Sequence, residues 1–241
     1  MTLPRFRSTN LAVTTKPDLT PVTDADRAAE EAMRRRLDEA RPDDAVLGEE
    51  LGDSGPGARR RWVLDPLDGT MNYVRGVPVW ASLIALERDG VADVGVVSAP
   101  ALGRRWWAAR GAGAYADGVA MHVSGVSVLA DAHLSYPSIL EFERFGLVDA
   151  VLDVERRCWR ARGYGDFWSH VLVAEGGFDV AFEPEVERWD VAPVWVIVEE
   201  AGGRFTDLRG RRRSDGGSAI STNGVLHDEV LALLGTSAGP R

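Results

Sequence analysis

Two aspartates three residues apart, Asp65 and Asp68, stand in the stretch Trp62-Val63-Leu64-Asp65-Pro66-Leu67-Asp68-Gly69-Thr70, directly after an apolar run. The segment reads as a strand delivering both carboxylates onto a tight Pro/Gly turn. Such a turn can aim Asp65, the Leu67 carbonyl and Asp68 at one volume. Hard cations such as Mg²⁺ take oxygen donors of this kind. Gly69 and Thr70 then offer backbone N–H groups to an anion, and glycine lets the backbone come close. Solvated carboxylates on an Asp/Gly turn are the competing reading. Other acids weigh against it: Glu49 and Glu50 after a second apolar segment, Asp190 after Trp189 at the head of an apolar helix, and Asp24 after Thr23. Each has an ordinary alternative, as a surface acid or a first-turn helix acid favoured by the dipole. Their joint occurrence, in this order, is the argument.

The elements that must hold these groups are legible in the pattern. The chain as far as Thr20 reads as irregular and extended, with Pro4, Pro17 and the following Pro21 as breakers. Thr23 is a good N-cap with Asp26 three positions on, a capping-box arrangement. Ala29, Met33, Leu37 and Ala40 then mark one face of a helix. From Trp62 to about Val123 the pattern is strands and tight turns. Apolar runs at 81–86 and 91–97 are parted by Asp89-Gly90, and later strands by Ala116-Asp117-Gly118, both hairpin signals. A mainly antiparallel sheet is the expectation. The remainder alternates: a helix at 166–174 stopped by Gly176-Gly177, a strand at 178–182, and a buried helix through Val191, Val194, Trp195, Val198 and Ala201. Short strands at 204–207 and 218–222 and a helix at 228–234 complete it. That alternation is α/β in character. The whole reads as one compact unit of two halves: residues 1–125 with the antiparallel sheet and most candidate ligands, and residues 126–241 supplying Asp190 and the substrate side.

Composition removes several classes. The 241 residues are 45% hydrophobic and 27% charged, ordinary for a soluble globular protein. The single cysteine, Cys158, excludes an intramolecular disulfide and a Cys-rich zinc site, and suits a reducing cytoplasm. No apolar run approaches the ~20 residues that span a bilayer, so no membrane partner is expected. A net charge of -9 argues against nonspecific nucleic-acid binding. The short arginine runs at 34–36, 59–61 and 211–213 read as solvated surface. The four histidines show no zinc-ligand spacing.

The chain resembles the inositol monophosphatase superfamily of Mg²⁺-dependent, lithium-sensitive phosphatases. Residues 62–72 carry one signature, and Trp189-Asp190-Val191-Ala192 through Glu200-Ala201-Gly202-Gly203 a second, within a likeness running from about Asp18 to the last helix. The resemblance implies an α/β layered fold, the αβαβα sandwich shared with fructose-1,6-bisphosphatase. Here it has a shortened N-terminal helical region, because Asp24 comes so early in the chain. It further implies two or three Mg²⁺ ions held by Glu49, Asp65, the Leu67 carbonyl, Asp68 and Asp190. Thr70 and Asp24 match the pair that orients and deprotonates the attacking water, and Gly69 and Thr70 match a phosphate cradle. The implied partner is a small-molecule phosphate monoester, and relatives commonly form homodimers. Elementary chemistry agrees: a phosphate monoester carries nearly two negative charges, so divalent cations must overcompensate an acidic pocket before the ester can enter.

A narrower resemblance is to the histidinol-phosphate phosphatase branch found in actinobacteria, acting in histidine biosynthesis. It is carried by residues 73–80, 99–107 and 162–169. Histidinol phosphate presents an amine and an imidazole, and a carboxylate such as Asp166 or Glu183 could pair with either. A helix cap is the ordinary alternative for Asp166, and core packing for Trp80, Trp106, Trp107 and Trp168. Met71 stands where this branch carries lysine. Two further readings stay open: the same site acting on inositol 1-phosphate or a related sugar or nucleotide phosphate, and a weakly active, metal-binding regulatory paralogue.

Overall fold

A computed structural model describes residues 1–8, 10–15 and 21–236; Pro17 and Asp18, named above, lie outside them. Where an irregular start was expected, β1 (Val13–Thr15) pairs antiparallel with β2 (Pro21–Thr23), the β-branched Val13, Thr14 and Thr15 being natural strand formers. The capping box then starts α1 (Asp24–Ala40): Thr23 Oγ1 accepts from the Ala25 N–H at 3.1 Å, and Asp26 Oδ2 from the Thr23 N–H at 2.9 Å. Next come β3 (Ala45–Gly48), β4 (Gly52–Asp53), β5 (Arg60–Asp68) and the short α2 (Thr70–Val74). A meander follows: β6 (Ala81–Arg88), β7 (Val91–Ala99), β8 (Arg104–Ala109), β9 (Ala114–Ala116) and β10 (Val119–Ala120). Asp89-Gly90 and Asp117-Gly118 turn its hairpins with positive φ at all four residues.

These strands form one sheet in the order β10-β9-β8-β7-β6-β5-β3-β4, antiparallel except where β3 runs parallel to β5. The chain then builds β11 (His133–Ser135), α3 (Val148–Arg157), β12 (Arg160–Ala161), α4 (Asp166–Ala174), β13 (Val180–Glu183), α5 (Arg188–Glu200), β14 (Arg204–Thr206), β15 (Ala219–Thr222) and α6 (His227–Thr236). A second sheet takes the order β12-β11-β13-β15-β14.

Side-chain alternation sets the layers. Trp62 and Leu64 of β5, with Ser82 and Ile84 of β6, face Ala29, Met33 and Leu37 of α1. The intervening Val63 and Ala85 pack on Ala192 of α5, as period-two geometry requires. α5 approaches so closely that a Cβ on Gly95 of β7 would lie 2.2 Å from the Pro193 carbonyl oxygen; only glycine fits there. α4 and α5 fill the space between the sheets, and α3 and α6 cover the far face of the second sheet through Val151, Val154, Val230 and Leu234. Helix, sheet, helix, sheet, helix is the layered α/β sandwich expected. Among the described residues no helix is long and apolar enough to cross a membrane.

His227 illustrates a purely structural histidine. It is fully buried, with Nε2 3.0 Å from Thr206 Oγ1 and Nδ1 3.0 Å from Thr222 Oγ1. Burial, aided by Arg204, lowers its pKa to about 4 from 6.5. Between those values the unfolded chain binds more protons than the folded one, so this residue's contribution to stability falls as pH falls from 6.5 towards 4. The loss amounts to about 3 kcal/mol by pH 4. Urea melts of wild type and His227→Gln at pH 7 and pH 4.5 should therefore converge by about 2 kcal/mol at the lower pH. Parallel loss in both proteins would refute this account.

Candidate active site

Residues of opposite parity on a strand face opposite ways, so Asp65 and Asp68 could not share a side of a regular β5. A bulge resolves this. Asp65 pairs with Leu83 and Asp68 with Ala81, so three steps on β5 match two on β6. The strand thus runs past Pro66 rather than turning there, and Pro66, lacking an N–H, sits where the ladder is interrupted. The Asp65 carboxylate accepts the Leu67 N–H at 2.8 Å. Asp68 Oδ2 accepts the Phe167 N–H at 2.7 Å, tying this strand to the head of α4. Asp190 is the third residue of α5, and its Oδ2 reaches back to the Glu187 N–H at 2.7 Å. Asp65, Asp68 and Asp190 each present an oxygen within 4.8 Å of the others.

The electrostatics are those of a cation site. Burial raises Asp65 well above the usual carboxylate range, and Glu49, Asp68 and Asp190 add to it. Asp68 is raised by burial, then by Asp166 and Asp190. Asp190 is raised by burial against the lowering effect of its cap bond, with Glu49, Glu183 and Asp166 adding to the rise. The charged side chains with the largest effects on these three groups are all acidic. Carboxylates so crowded and so shielded from water either protonate or take up a cation, and an all-oxygen donor set suits Mg²⁺. Glu49 lies outside the triad but beside it. Its N–H extends the β3–β5 pairing to the Leu64 carbonyl at 3.2 Å. The next two N–H groups, of Glu50 and Leu51, donate at 2.7 and 3.2 Å to Glu30, which is buried in α1.

One expected site residue is displaced. Asp24, matched by sequence to Thr70, is half-exposed and pairs with Arg5 instead, its Oδ2 3.0 Å from that guanidinium. The residue beside Thr70 is Asp26: the Thr70 hydroxyl lies 3.2 Å from Asp26 Oδ1 and 2.9 Å from the Leu67 carbonyl. Asp26 is fully buried, and burial raises its pKa, as does the neighbouring Glu49. Gly69 has φ +79, and a Cβ there would meet the Val79 carbonyl at 3.0 Å. It therefore makes the turn that sets Thr70 at the first position of α2.

Asp166 is not the cap of its helix. Gly165 occupies that position and Asp166 follows with φ +51, a costly conformation for a non-glycine residue. Its carboxylate faces the Gly69 turn, 3.5 Å from Asn72 Nδ2. Burial, then Glu183 and Glu141, push its pKa up to about 7. Together with Glu183 it lines a cavity of about 590 Å³ that also takes in Asp68, Asp190, Glu141 and Glu185. Among the described residues no lysine or arginine lines this cavity, and Met71 is at its edge, 65% exposed. The four tryptophans belong to packing rather than to this wall: Trp80 and Trp106 are fully buried, Trp168 lies edge-on to Trp106, and Trp107 stacks on Tyr115. Sequence reasoning singles out neither Glu141 nor His170 for the cavity. His170 is findable, since it stands four positions after Asp166 on a helix and so on the same face.

The family model of inositol monophosphatases matches residues 3–237. The histidinol-phosphatase of Mycobacterium tuberculosis is 56% identical over 97% of this chain and 92% of its own length. That of Streptomyces coelicolor is 52% identical over 97% and 91%. Among solved structures, the extragenic suppressor protein of Bartonella henselae superposes with a TM-score of 0.89 at 29% identity, covering 97% of this chain and 92% of that one.

Proposed function

The chain belongs to the inositol monophosphatase family, and from that premise we propose that it is a magnesium-dependent phosphomonoesterase cleaving L-histidinol phosphate into L-histidinol and orthophosphate. One observation carries the reading. The cavity is lined by Asp68 and Asp190, which cluster with Asp65, and beyond them by Asp166, Glu183, Glu141 and Glu185, with no lysine or arginine among the described residues. A sugar or inositol ester offers only hydroxyls to such a wall. An ester bearing an ammonium and an imidazole offers cationic partners, which charge-assisted hydrogen bonds favour.

In this reading Glu49, Asp65, the Leu67 carbonyl, Asp68 and Asp190 hold two or three Mg²⁺ ions. Mg²⁺ held there would offset the charge of the phosphoryl oxygens and lower the pKa of the attacking water. Gly69 and Thr70 present N–H groups to the phosphoryl oxygens. Thr70 donates its hydroxyl hydrogen to Asp26 and accepts one from the attacking water, so Asp26 is the proton's destination. A carboxyl whose pKa is raised is the better base for that task. As the new P–O bond forms, the bond to the alcohol oxygen breaks in line, and that oxygen leaves as an alkoxide that takes a proton from solvent. Asp166 and Glu183 hold the amine and imidazole end.

Initial rates across an ester panel test the assignment. The value of kcat/KM for histidinol phosphate should exceed that for inositol 1-phosphate about 100-fold, the scale set by losing charge-assisted hydrogen bonds, and should vanish with a chelator. Preference for inositol 1-phosphate would overturn the substrate. Silence on every ester at saturating Mg²⁺ would favour a regulatory role.

A further inference from the structure

His170 lies on α4, one turn after Asp166, and is 1% exposed. Its Nδ1 is 2.7 Å from Ser221 Oγ on β15, itself fully buried. Its Nε2 has no hydrogen bond, yet stands 3.2 Å from Glu183 Oε1, which is likewise buried and without a hydrogen-bond partner. Both residues line the cavity. His227 supplies the contrast within the same fold, with both ring nitrogens hydrogen-bonded to threonines. A histidine kept only for packing would be expected to close both ends, because an unpaired buried polar atom costs about 1–3 kcal/mol. His170 leaves open the end that meets Glu183, beside it in the cavity wall.

The tautomer follows from the neighbours. Were Nδ1 to carry the hydrogen and donate to Ser221, the lone pair of Nε2 would face a carboxylate oxygen. The favourable arrangement has the Ser221 hydroxyl donating to Nδ1 and Nε2–H directed at Glu183. The strand register supports the chain: Glu183 opposes Ala219 and Ala181 opposes Ser221, so Ser221 and Glu183 share the face of the second sheet that receives α4. We infer that Ser221 and His170 form a relay that fixes the Glu183 carboxylate, turning one oxygen towards Nε2–H and leaving the other to the nitrogen-bearing end of the substrate. His170 is then a positioning residue for specificity. The inference rests on the substrate side of the reading above and adds what orients it. The imperfect alignment of Nε2 with Oε1 suits a contact that tightens when a ligand pulls on Glu183.

A double-mutant cycle tests it, read on whichever panel ester the wild-type enzyme turns over best, with Mg²⁺ saturating. Expected for His170→Leu is a KM about tenfold higher with kcat within about threefold, the scale of one hydrogen bond to a charged group. His170→Gln, whose amide nitrogen falls near Nε2, should recover most of that loss. His170→Asn, which reaches only the Nδ1 position, should not. In the Glu183→Gln background His170→Leu should add little. Equal recovery by Asn and Gln, additive losses in the double mutant, or an unchanged KM in His170→Leu at wild-type melting temperature would each overturn the relay. A wild-type preference for an ester without nitrogen would overturn the substrate assignment alone, since coupling between positions 170 and 183 is still read on that ester.

Discussion

Asp68→Asn should lower kcat/KM by on the order of 10³, about 4 kcal/mol of lost transition-state stabilisation, while the protein folds normally. The substitution is nearly isosteric, and the amide oxygen can still accept the Phe167 N–H that Asp68 Oδ2 takes at 2.7 Å. The tie between β5 and α4 therefore survives. What disappears is one negative charge from a buried group that stands within 4.8 Å of Asp65 and Asp190. Without metal, that charge is a liability: burial, Asp166 and Asp190 all oppose it. Removing it should leave the metal-free melting temperature unchanged or higher. The same removal should shrink the rise in melting temperature that saturating Mg²⁺ gives, because binding to the folded state alone is what produces that rise. Kinetics and melting curves with and without Mg²⁺ check both halves. Activity within tenfold of wild type, together with an undiminished Mg²⁺ shift, would remove Asp68 from the metal site.

The 62–70 segment is legible because its chemistry is local: an apolar strand, two acids and a glycine turn follow one another without a break. How the two acids reach one side is not legible, since a strict strand would separate them and the bulge shows only in the pairing with β6. The hairpins are readable from Asp-Gly turns, which demand positive φ. The region after residue 125 is harder. α3 escapes a sequence reading although Val148, Val151 and Val154 repeat every three residues and pack against α6. Asp166 shows a different limit. Its sequence position suggests a cap, whereas its left-handed backbone and its approach to the Gly69 turn depend on α4 being brought across from the second sheet. Contacts between segments so distant along the chain leave no local trace.

The most discriminating result concerns two aspartates in Val22-Thr23-Asp24-Ala25-Asp26. Two positions apart on a helix, they point to nearly opposite sides, so only one can face Thr70. Asp24, at the first helical position, turns out to Arg5; Asp26, at the third, turns back over the cap and inward. The capping box is visible in sequence, and it already fixes that direction. If Asp26 receives the proton of the attacking water, Asp26→Asn should lower kcat by about 10²–10⁴, the range for a missing general base. KM and the Mg²⁺ requirement should be nearly unchanged. The amide oxygen introduced by that substitution can still accept from the Thr23 N–H, so the stability loss should stay near about 1 kcal/mol. Asp24→Asn, losing only a half-exposed ion pair worth about 0–1 kcal/mol, should keep kcat within twofold. Steady-state kinetics on the two variants decide the matter, and a greater loss at position 24 than at 26 would reverse the assignment. The proton's path also fixes what the pH profile of Asp26→Asn must do: the acidic limb owed to this carboxyl should disappear, leaving a rate that no longer falls as Asp26 would protonate.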